Sequence, residues 1–136
     1  MFTITRDDYE RMVEHCRREH PNEACGILAG RDDRIDKVYS LVNENPSPAF
    51  YRIDSKEQFR VFREMRETGR ELIGIYHSHT GSPAFPSGTD VELAYYPEAV
   101  YVIVSLMDKK DPVVKGYNIC EGKISEVLLD IVSEGR

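Results

Sequence analysis

Two nearly uninterrupted apolar runs constrain the fold of this chain more than any other feature. Ala24–Ala29 and Val100–Leu106 lack the alternation of apolar and polar residues that a strand with one solvent-facing side shows. We therefore expect both runs to be strands covered on both faces, in a sheet with helices packed on it. The 136 residues suffice for one core, so residues 1–136 are predicted to form a single domain.

An amphipathic helix is predicted after a short first strand at 2–4. Thr5 and Asp8 have the spacing of a helix N-cap with an acid in the first turn, and the helix is expected to end before Pro21. His15 and His20 lie off its apolar stripe and are interpreted as surface residues. The stripe itself, including the cysteine, is predicted to be core: Tyr9, Met12, Val13 and Cys16.

Two further helices are predicted from their first turns. Ser55 and Gln58 have capping-box spacing and begin a helix that stops at Gly69. The third helix is expected to run from Ser87 through about Tyr96, just before a proline. The second helix is expected to direct three apolar side chains inward: Phe59, Phe62 and Met65.

The remaining apolar segments predict strands, and two of the connections have turn-forming residues. Asp32–Asp33 and Glu121–Gly122 predict hairpin turns. The resulting order, βαββ(β)αβαβββ, predicts an α/β fold in which a mixed sheet is packed with helices. Besides those already described, the predicted strands cover residues 35–42, 50–53, 72–76, 113–119 and 123–129.

Charge and cysteine content exclude several classes of function. The chain has 24 acidic and 18 basic residues and a net charge of -6, which argues against binding nucleic acid or an anionic membrane. Residues 1–5 do not resemble a signal peptide, and no apolar run approaches a membrane span. Cys16, Cys25 and Cys120 are an odd, widely spaced set, which favours a reducing compartment. We therefore expect a cytoplasmic protein.

The histidines His77 and His79, together with Asp90, have the features of a metal site. A predicted strand ends at the two histidines, and alternate side chains of a strand share a face, so both imidazoles can reach one ion. Asp90 follows eleven residues after His79 and offers an oxygen ligand. Two histidines and one carboxylate are typical of catalytic zinc, with water in the fourth position.

Each of these residues also has a simpler explanation when it is taken alone. A His-x-His at a strand end is more often incidental than a pair of metal ligands. Ser87 with Asp90 three residues later is also a helix-capping pattern. Glu23 by itself would be an exposed charge in a loop. Only the joint spacing of these residues favours a site.

That joint spacing matches a known family. His77, His79, Ser87 and Asp90 fit the pattern H-x-H-x7-S-x2-D, so the chain resembles the JAMM, or MPN-plus, metalloproteases. Glu23, in a Pro-x-Glu-x-Cys-Gly context before a predicted strand, is similar to the upstream glutamate of the small prokaryotic members of that family. The likeness extends from residue 21 to about residue 106.

The resemblance implies a fold, a cofactor and a role for each of these residues. It implies a cytidine-deaminase-like α/β fold and one Zn²⁺ per chain, bound by His77, His79 and Asp90 together with a water molecule. Glu23 would accept a proton from that water and pass it to the departing amine. Ser87 would donate a hydrogen bond to the oxyanion, a contribution of about 3 kcal/mol.

Two residues near the motif leave alternatives open. Thr80 stands where the family commonly has proline, which puts the rigidity of the following loop in question. Cys25 lies on the same predicted strand face as Glu23, and a thiolate there would close the metal site and make it structural. Its apolar surroundings favour a neutral buried thiol instead.

The resemblance also implies a substrate. We expect a zinc metalloprotease, a JAMM-type deubiquitinase-like isopeptidase, that cleaves after the C-terminal diglycine of ubiquitin-like or sulfur-carrier proteins. The particular modifier, the choice between isopeptide and linear bonds and the oligomeric state stay open. Val61, Phe62 and the loop at Phe85 are guesses for the docking surface. The alternatives are an inactive scaffold or binding module of the same fold, and a hydrolase of small amides or nucleosides.

Overall fold

The computed structural model describes residues 1–133, which form an eight-stranded sheet with three helices. The elements in chain order are β1 (Phe2–Thr5), α1 (Arg6–Glu19), β2 (Cys25–Arg31), β3 (Arg34–Leu41), α2 (Ser55–Glu67), β4 (Glu71–His79), α3 (Gly88–Glu92), β5 (Val100–Ser105), β6 (Val113–Cys120), β7 (Lys123–Val127) and β8 (Leu129–Val132). Across the sheet the strands lie in the order β7-β6-β5-β4-β2-β3-β1-β8. Parallel and antiparallel pairs both occur, so the sheet is mixed, as predicted.

The central strands of the sheet are buried from both sides. All six residues of β5 and the first six residues of β2 are buried. On one face, Leu28 of β2 and Tyr76 of β4 belong to a core that includes Met12 and Cys16 of α1, none of them measurably exposed. The two apolar runs are therefore strands covered on both faces, and the stripe of α1 is core, as predicted.

The opposite face of the sheet carries α2 and α3. Cys25 of β2 packs there with Val61 and Met65 of α2. Ile75 of β4 lies in a neighbouring cluster that also contacts the segment around α3. Because alternate residues of a strand share a face, the odd-numbered residues that follow Ile75 in β4 point to this side of the sheet.

The C-terminal strands close the sheet in a way that the sequence analysis does not predict. The segment 123–129, expected to be one strand, is divided at Leu128 into β7 on one edge of the sheet and β8 on the other. Because a single residue joins them, the two edges must approach each other. The Phe2 N–H donates to the Leu128 carbonyl at 3.0 Å, so the residue between β7 and β8 is bonded to the start of β1.

Several predictions about α2 are wrong. Its N-cap is Asp54, whose carboxylate accepts a hydrogen bond from the Glu57 N–H at 3.1 Å, so the predicted capping box at Ser55 is not the one used. Phe59 is 64% exposed, whereas Val61 is fully buried and cannot belong to a docking surface. Contact with the sheet decides which side of α2 is buried, and the spacing of apolar residues within the helix does not show where that contact is made.

Two other elements are shorter than predicted. The third helix ends at Glu92 rather than near Tyr96. Residues 50–53 form only an isolated bridge between Ile53 and Asn43 instead of a strand. Within residues 1–133, every helix falls short of the length and apolar character that a membrane crossing requires.

His15 is in the core rather than on the surface. Its Nδ1 atom lies 2.7 Å from the hydroxyl of Tyr76, and the same hydroxyl lies 3.3 Å from Ser40 Oγ. Burial lowers the pKa of His15, which favours the neutral ring. Packing of α1 on the sheet supplies this polar partner from a distant strand, so the apolar periodicity of the helix gives no sign of it.

Candidate metal centre

The two histidines lie at the carboxyl end of β4, in the middle of the sheet. Parallel pairing with β5 holds this end, with His77 opposite Ile103 and His79 opposite Ser105. Both rings are buried, with exposed fractions of 1% and 4%. Their Nε2 atoms are 3.2 Å apart. The alternation of the strand therefore brings the two imidazoles together on one face.

The start of α3 adds the carboxylate of Asp90. In a reciprocal capping box, Ser87 Oγ accepts from the Asp90 N–H at 3.1 Å, and Asp90 Oδ2 accepts from the Ser87 N–H at 2.9 Å. Asp90 Oδ1 is 3.2 Å from Nε2 of His77, and Oδ2 is 3.0 Å from Nε2 of His79. One ligand atom from each residue lies within 4.8 Å of the others. We call His77, His79 and Asp90 the metal cluster.

The hydrogen bonds of His79 show that the metal cluster suits a cation. Its Nδ1 lies 2.8 Å from the carbonyl oxygen of Pro83, which can only accept, so Nδ1 carries the proton. In the neutral ring Nε2 then presents a lone pair, and it faces the Asp90 carboxylate. Such electron pairs repel one another unless a proton on Nε2 or a metal ion lies among them. Two imidazoles and a carboxylate form a ligand set suited to zinc.

The pKa values of the metal cluster indicate an attraction for positive charge. Burial acts against the charged form of Asp90, but hydrogen bonds from His77 and His79 outweigh it and hold the pKa of the Asp90 carboxyl well below its usual range. Burial likewise opposes a charged His79, yet its bonds to Asp90 and to the Pro83 carbonyl raise its pKa. The cluster is therefore built around a carboxylate that stays ionised.

The loop that joins His79 to α3 is held by hydroxyl groups. Thr80, the position at which the resemblance leads one to expect proline, donates through Oγ1 to the Pro48 carbonyl at 3.0 Å. The hydroxyls of Ser105 and Tyr117 donate to carbonyls of the loop itself, at 2.6 and 2.5 Å. Side-chain hydrogen bonds to the loop backbone thus supply the restraint that a proline would give through its ring.

Glu23 lies just before β2, beside the end of β4. Cys25 of β2 pairs with His77 of β4 in antiparallel register. Extending this register by two residues places Glu23, just before β2, opposite His79. Its side chain is buried, with 5% exposed. Burial raises the pKa of its carboxyl to about 8, while His79 lowers this pKa and Asp90 raises it by smaller amounts. A carboxyl that exchanges its proton near neutral pH therefore adjoins the metal cluster.

Ser87 borders the metal cluster through its capping bonds with Asp90. The residue is exposed, and its Oγ accepts from the Asp90 N–H. A hydroxyl that accepts one hydrogen bond still has its own hydrogen to donate. The capping role and a donor role are therefore compatible in the same side chain.

The thiol of Cys25 lies outside the metal cluster. In the part of the chain that the structure describes, the potential ligand group that includes the two histidines contains Asp90 and no sulfur. Cys25 is fully buried, and its Sγ is directed at the Val42 carbonyl at 3.9 Å. Burial raises the pKa of this thiol to about 12, so it is neutral. The structure does not support a closed site with a cysteine ligand.

Two residues that sequence reasoning does not single out border this region. The Tyr51 ring stacks on His77, with centroids 4.8 Å apart and planes inclined by 27°. Asn43 is buried, and its Nδ2 donates to the carbonyls of Glu23 at 3.0 Å and Phe50 at 3.2 Å. A short polar side chain at a strand end, such as Asn43, is a weak signal for loop bonding. Tyr51 lies in the segment between β3 and α2 and has no local signal, because its partner His77 is distant in the chain.

The fold and the metal cluster define a class of protein, namely α/β proteins whose central strand ends in two histidines that meet a carboxylate. The chain belongs to the family described as prokaryotic homologs of the JAB domain, whose profile matches residues 5–118. It is 42% identical over 136 residues to the CysO-cysteine peptidase of Mycobacterium tuberculosis, covering 98% of this chain and 93% of that protein. It is 31% identical over 111 residues to the desampylase of Haloferax volcanii, covering 76% and 80%.

Solved structures also resemble this fold. The solution structure of a protein from Desulfitobacterium hafniense has a TM-score of 0.90 and 38% identity, covering 98% of this chain and 94% of that one. The crystal structure of a JAB1/MPN domain protein from Archaeoglobus fulgidus has a TM-score of 0.65 and 24% identity, covering 97% and 99%, and this likeness concerns the fold alone. The predicted family and the predicted fold class are confirmed.

Proposed function

We propose that this protein is a zinc-dependent peptidase or isopeptidase that hydrolyses the amide bond after the C-terminal glycine of a ubiquitin-like or sulfur-carrier protein. The convergence of the metal cluster beside the buried Glu23 carboxyl carries this proposal. The names of the relatives support it, because a CysO-cysteine peptidase and a desampylase share the family and much of the length of this chain.

In this proposal His77, His79 and Asp90 hold one zinc ion per chain. The fit rests on the Nδ1 bond of His79, which leaves Nε2 free to coordinate, and on the ionised Asp90. Zinc supplies Lewis acidity, which polarises an amide carbonyl and strengthens water as a nucleophile. With three protein ligands a coordination position stays open for chemistry.

Glu23 is proposed as the general base and then the general acid. Its carboxylate accepts the proton of the attacking water, and the resulting carboxylic acid delivers that proton to the leaving amine. In the metal-free protein burial raises the pKa of Glu23 to about 8, and the charge of a bound zinc ion would lower this pKa towards the range in which the carboxyl accepts and releases a proton at neutral pH. Asn43, which binds the Glu23 carbonyl at 3.0 Å, holds the backbone that positions this side chain.

Ser87 is proposed to donate its free hydroxyl hydrogen to the oxyanion of the tetrahedral intermediate. Donors of this kind contribute about 3 kcal/mol to transition-state stabilisation. The reciprocal capping bonds fix the position of Ser87 relative to Asp90, and therefore the position of the proposed donor relative to the proposed metal ligand.

The proposed setting of the protein follows from composition and cysteine state. Three free cysteines support a reducing compartment, and we assign the chain to the cytoplasm as a single domain over residues 1–136. The net charge of -6 disfavours nucleic acid and anionic membranes as partners. The proposed partner is the ubiquitin-like protein itself, recognised through its extended diglycine tail.

Cleavage of defined fusions tests the function. A set of ubiquitin-like and sulfur-carrier proteins, each joined through its diglycine terminus to a reporter peptide, is incubated with the wild-type protein in zinc or in chelator. We expect chelator to abolish cleavage of at least one fusion. Glu23→Gln should lower its rate by roughly 10²–10⁴-fold, because the proton acceptor is lost.

Glu14→Gln, at an exposed position of α1, is the matched control and should cleave at the wild-type rate. Cleavage that survives chelator, or a Glu23→Gln variant as active as wild type, would contradict the proposal. Failure of the wild-type protein to cleave any fusion while it binds them would favour the scaffold alternative.

A further inference from the structure

The two histidines of the metal cluster are held in different ways. Nδ1 of His79 is bonded to the Pro83 carbonyl at 2.8 Å. Nδ1 of His77 is buried, and within residues 1–133 it has no hydrogen-bond partner. A metal-binding histidine normally donates its second ring N–H to an oxygen, which sets the orientation and tautomer of the ring. Within residues 1–133 no protein group supplies that restraint to His77.

The flat face of His77 meets an aromatic ring instead. Tyr51 stacks on it with ring centroids 4.8 Å apart and an interplanar angle of 27°. Turning the imidazole about its bond to Cβ would drive its edge into the tyrosine ring. The stack therefore opposes the same rotation that a hydrogen bond at Nδ1 would oppose, and it keeps Nε2 directed at Asp90.

Tyr51 is itself held on both sides. Asn43 Nδ2 donates to the Phe50 carbonyl at 3.2 Å, and Asn43 Oδ1 accepts from the Arg52 N–H at 3.0 Å. One buried amide thus binds the residue before Tyr51 and the residue after it. The Tyr51 ring also packs against the core cluster of β2, β3 and α2. These contacts hold Tyr51 from groups other than His77.

We propose that Tyr51 is a positioning residue of the metal centre, whose ring fixes the orientation of His77 by stacking. The inference rests on the proposed function in that it takes zinc as the bound ion. The ring is the active part and the hydroxyl is not required. The consequence is a metal affinity that depends on a flat side chain at position 51.

Zinc affinity measured by competition with a chromophoric chelator tests this role. Tyr51→Ala and Tyr51→Leu should each raise the zinc dissociation constant by about tenfold or more, the scale seen when a ligand histidine loses its support. Tyr51→Phe keeps the flat ring and should stay within about twofold of wild type. The visible spectrum of the cobalt-substituted protein should change in the Ala and Leu variants and be unchanged in the Phe variant.

Tyr9→Ala is the matched control, since Tyr9 is a half-buried tyrosine on the opposite face of the sheet. It should lower the melting temperature of the metal-free protein without changing zinc affinity. If Tyr51→Ala does not fold, Tyr51→Leu carries the comparison, because it fills space without a flat ring.

Wild-type affinity in both Tyr51→Ala and Tyr51→Leu would overturn the stacking role, and so would a Tyr51→Phe variant as weak as Tyr51→Ala. Either result leaves the proposed function intact. A wild-type protein that binds no zinc would instead overturn the proposed function and this inference together.

Discussion

At the scale of single residues, environment rather than residue type decides what a carboxyl group can do. Asp90 contacts both imidazoles and Glu23 lies near His79, yet the pKa values of the two carboxyls move in opposite directions. Burial acts against ionisation of both, but Asp90 accepts hydrogen bonds from both histidines and stays ionised. In Glu23 burial dominates and raises the pKa to about 8. One group therefore suits a metal ion, and the other suits proton transfer.

The raised pKa of Glu23 predicts a pH-dependent stability in the metal-free protein. A carboxyl that binds its proton more tightly when folded stabilises the fold at low pH, and this contribution is lost as pH rises from about 4.5 towards 8. Glu23→Gln does not titrate. In chelator, its unfolding free energy relative to wild type should therefore increase between pH 5 and pH 8, by on the order of 3 kcal/mol.

Denaturant unfolding at both pH values measures this difference. Glu10→Gln is the control, because Glu10 is exposed on α1 and its substitution should leave the pH dependence of wild type unchanged. A difference between Glu23→Gln and wild type that stays constant with pH would show that the buried carboxyl is already ionised at pH 5.

At the scale of elements, α3 shows how a very short helix can hold a carboxylate of the proposed metal site in place. It has only five residues, and such helices are marginal without tertiary contacts or caps. The reciprocal bonds of Ser87 and Asp90 satisfy its first amides and aim the carboxylate at the histidines. In the sequence, capping and metal binding are alternative explanations of Ser87 and Asp90, whereas in the structure the cap itself directs the Asp90 carboxylate at the histidines.

Ser87→Ala, compared with Thr5→Ala, separates a role of Ser87 at the site from the stability that any helix cap supplies. Thr5 caps α1 through the same kind of bond, from the Asp8 N–H to Oγ1 at 3.1 Å, far from the metal cluster in sequence. Each substitution should lower the unfolding free energy by about 1 kcal/mol. Only Ser87→Ala should also lower the cleavage rate, by roughly 10²-fold, because it removes the proposed oxyanion donor and the bond that Ser87 Oγ accepts from Asp90.

Unfolding by denaturant and a single-turnover cleavage assay measure the two effects. Equal rates for the two variants would assign Ser87 to capping alone.

At the scale of the whole molecule, the sheet is what assembles the site. The metal cluster draws on β4 and α3, Glu23 precedes β2, and Tyr51 lies before α2. Strand β4 is central and is paired with β2 on one side and β5 on the other, so its carboxyl end, which carries the two histidines, is held by backbone pairing. An ion bound by this assembly is linked to folding, because the unfolded chain does not hold these groups together.

Zinc should therefore stabilise the folded protein. At a free zinc concentration of about 100 times the dissociation constant, the gain is about 2.7 kcal/mol, which raises the melting temperature of a chain of this length by roughly 10 °C. Chelator should reverse the shift. His77→Ala should show little shift on adding zinc, and a shift as large as that of wild type in this variant would mean that zinc binds elsewhere.

Local sequence was enough to predict the features that depend on neighbours in the chain. Alternation placed His77 and His79 on one face, capping chemistry marked the start of α3, and the long apolar runs indicated strands covered on both sides. These signals are short-range, because strand and helix periods are properties of the backbone itself. The motif spacing then pointed to the family and to Glu23.

Tertiary structure alone decided the contacts between segments that are distant in the chain. It placed Tyr51 on His77, buried His15 against Tyr76, and sent β8 to the far edge of the sheet. It also turned α2 so that Val61 rather than Phe59 is buried. The physical reason is that packing partners are chosen by strand order and by the faces of the sheet that remain to be covered, and neither is encoded in the period of any one element.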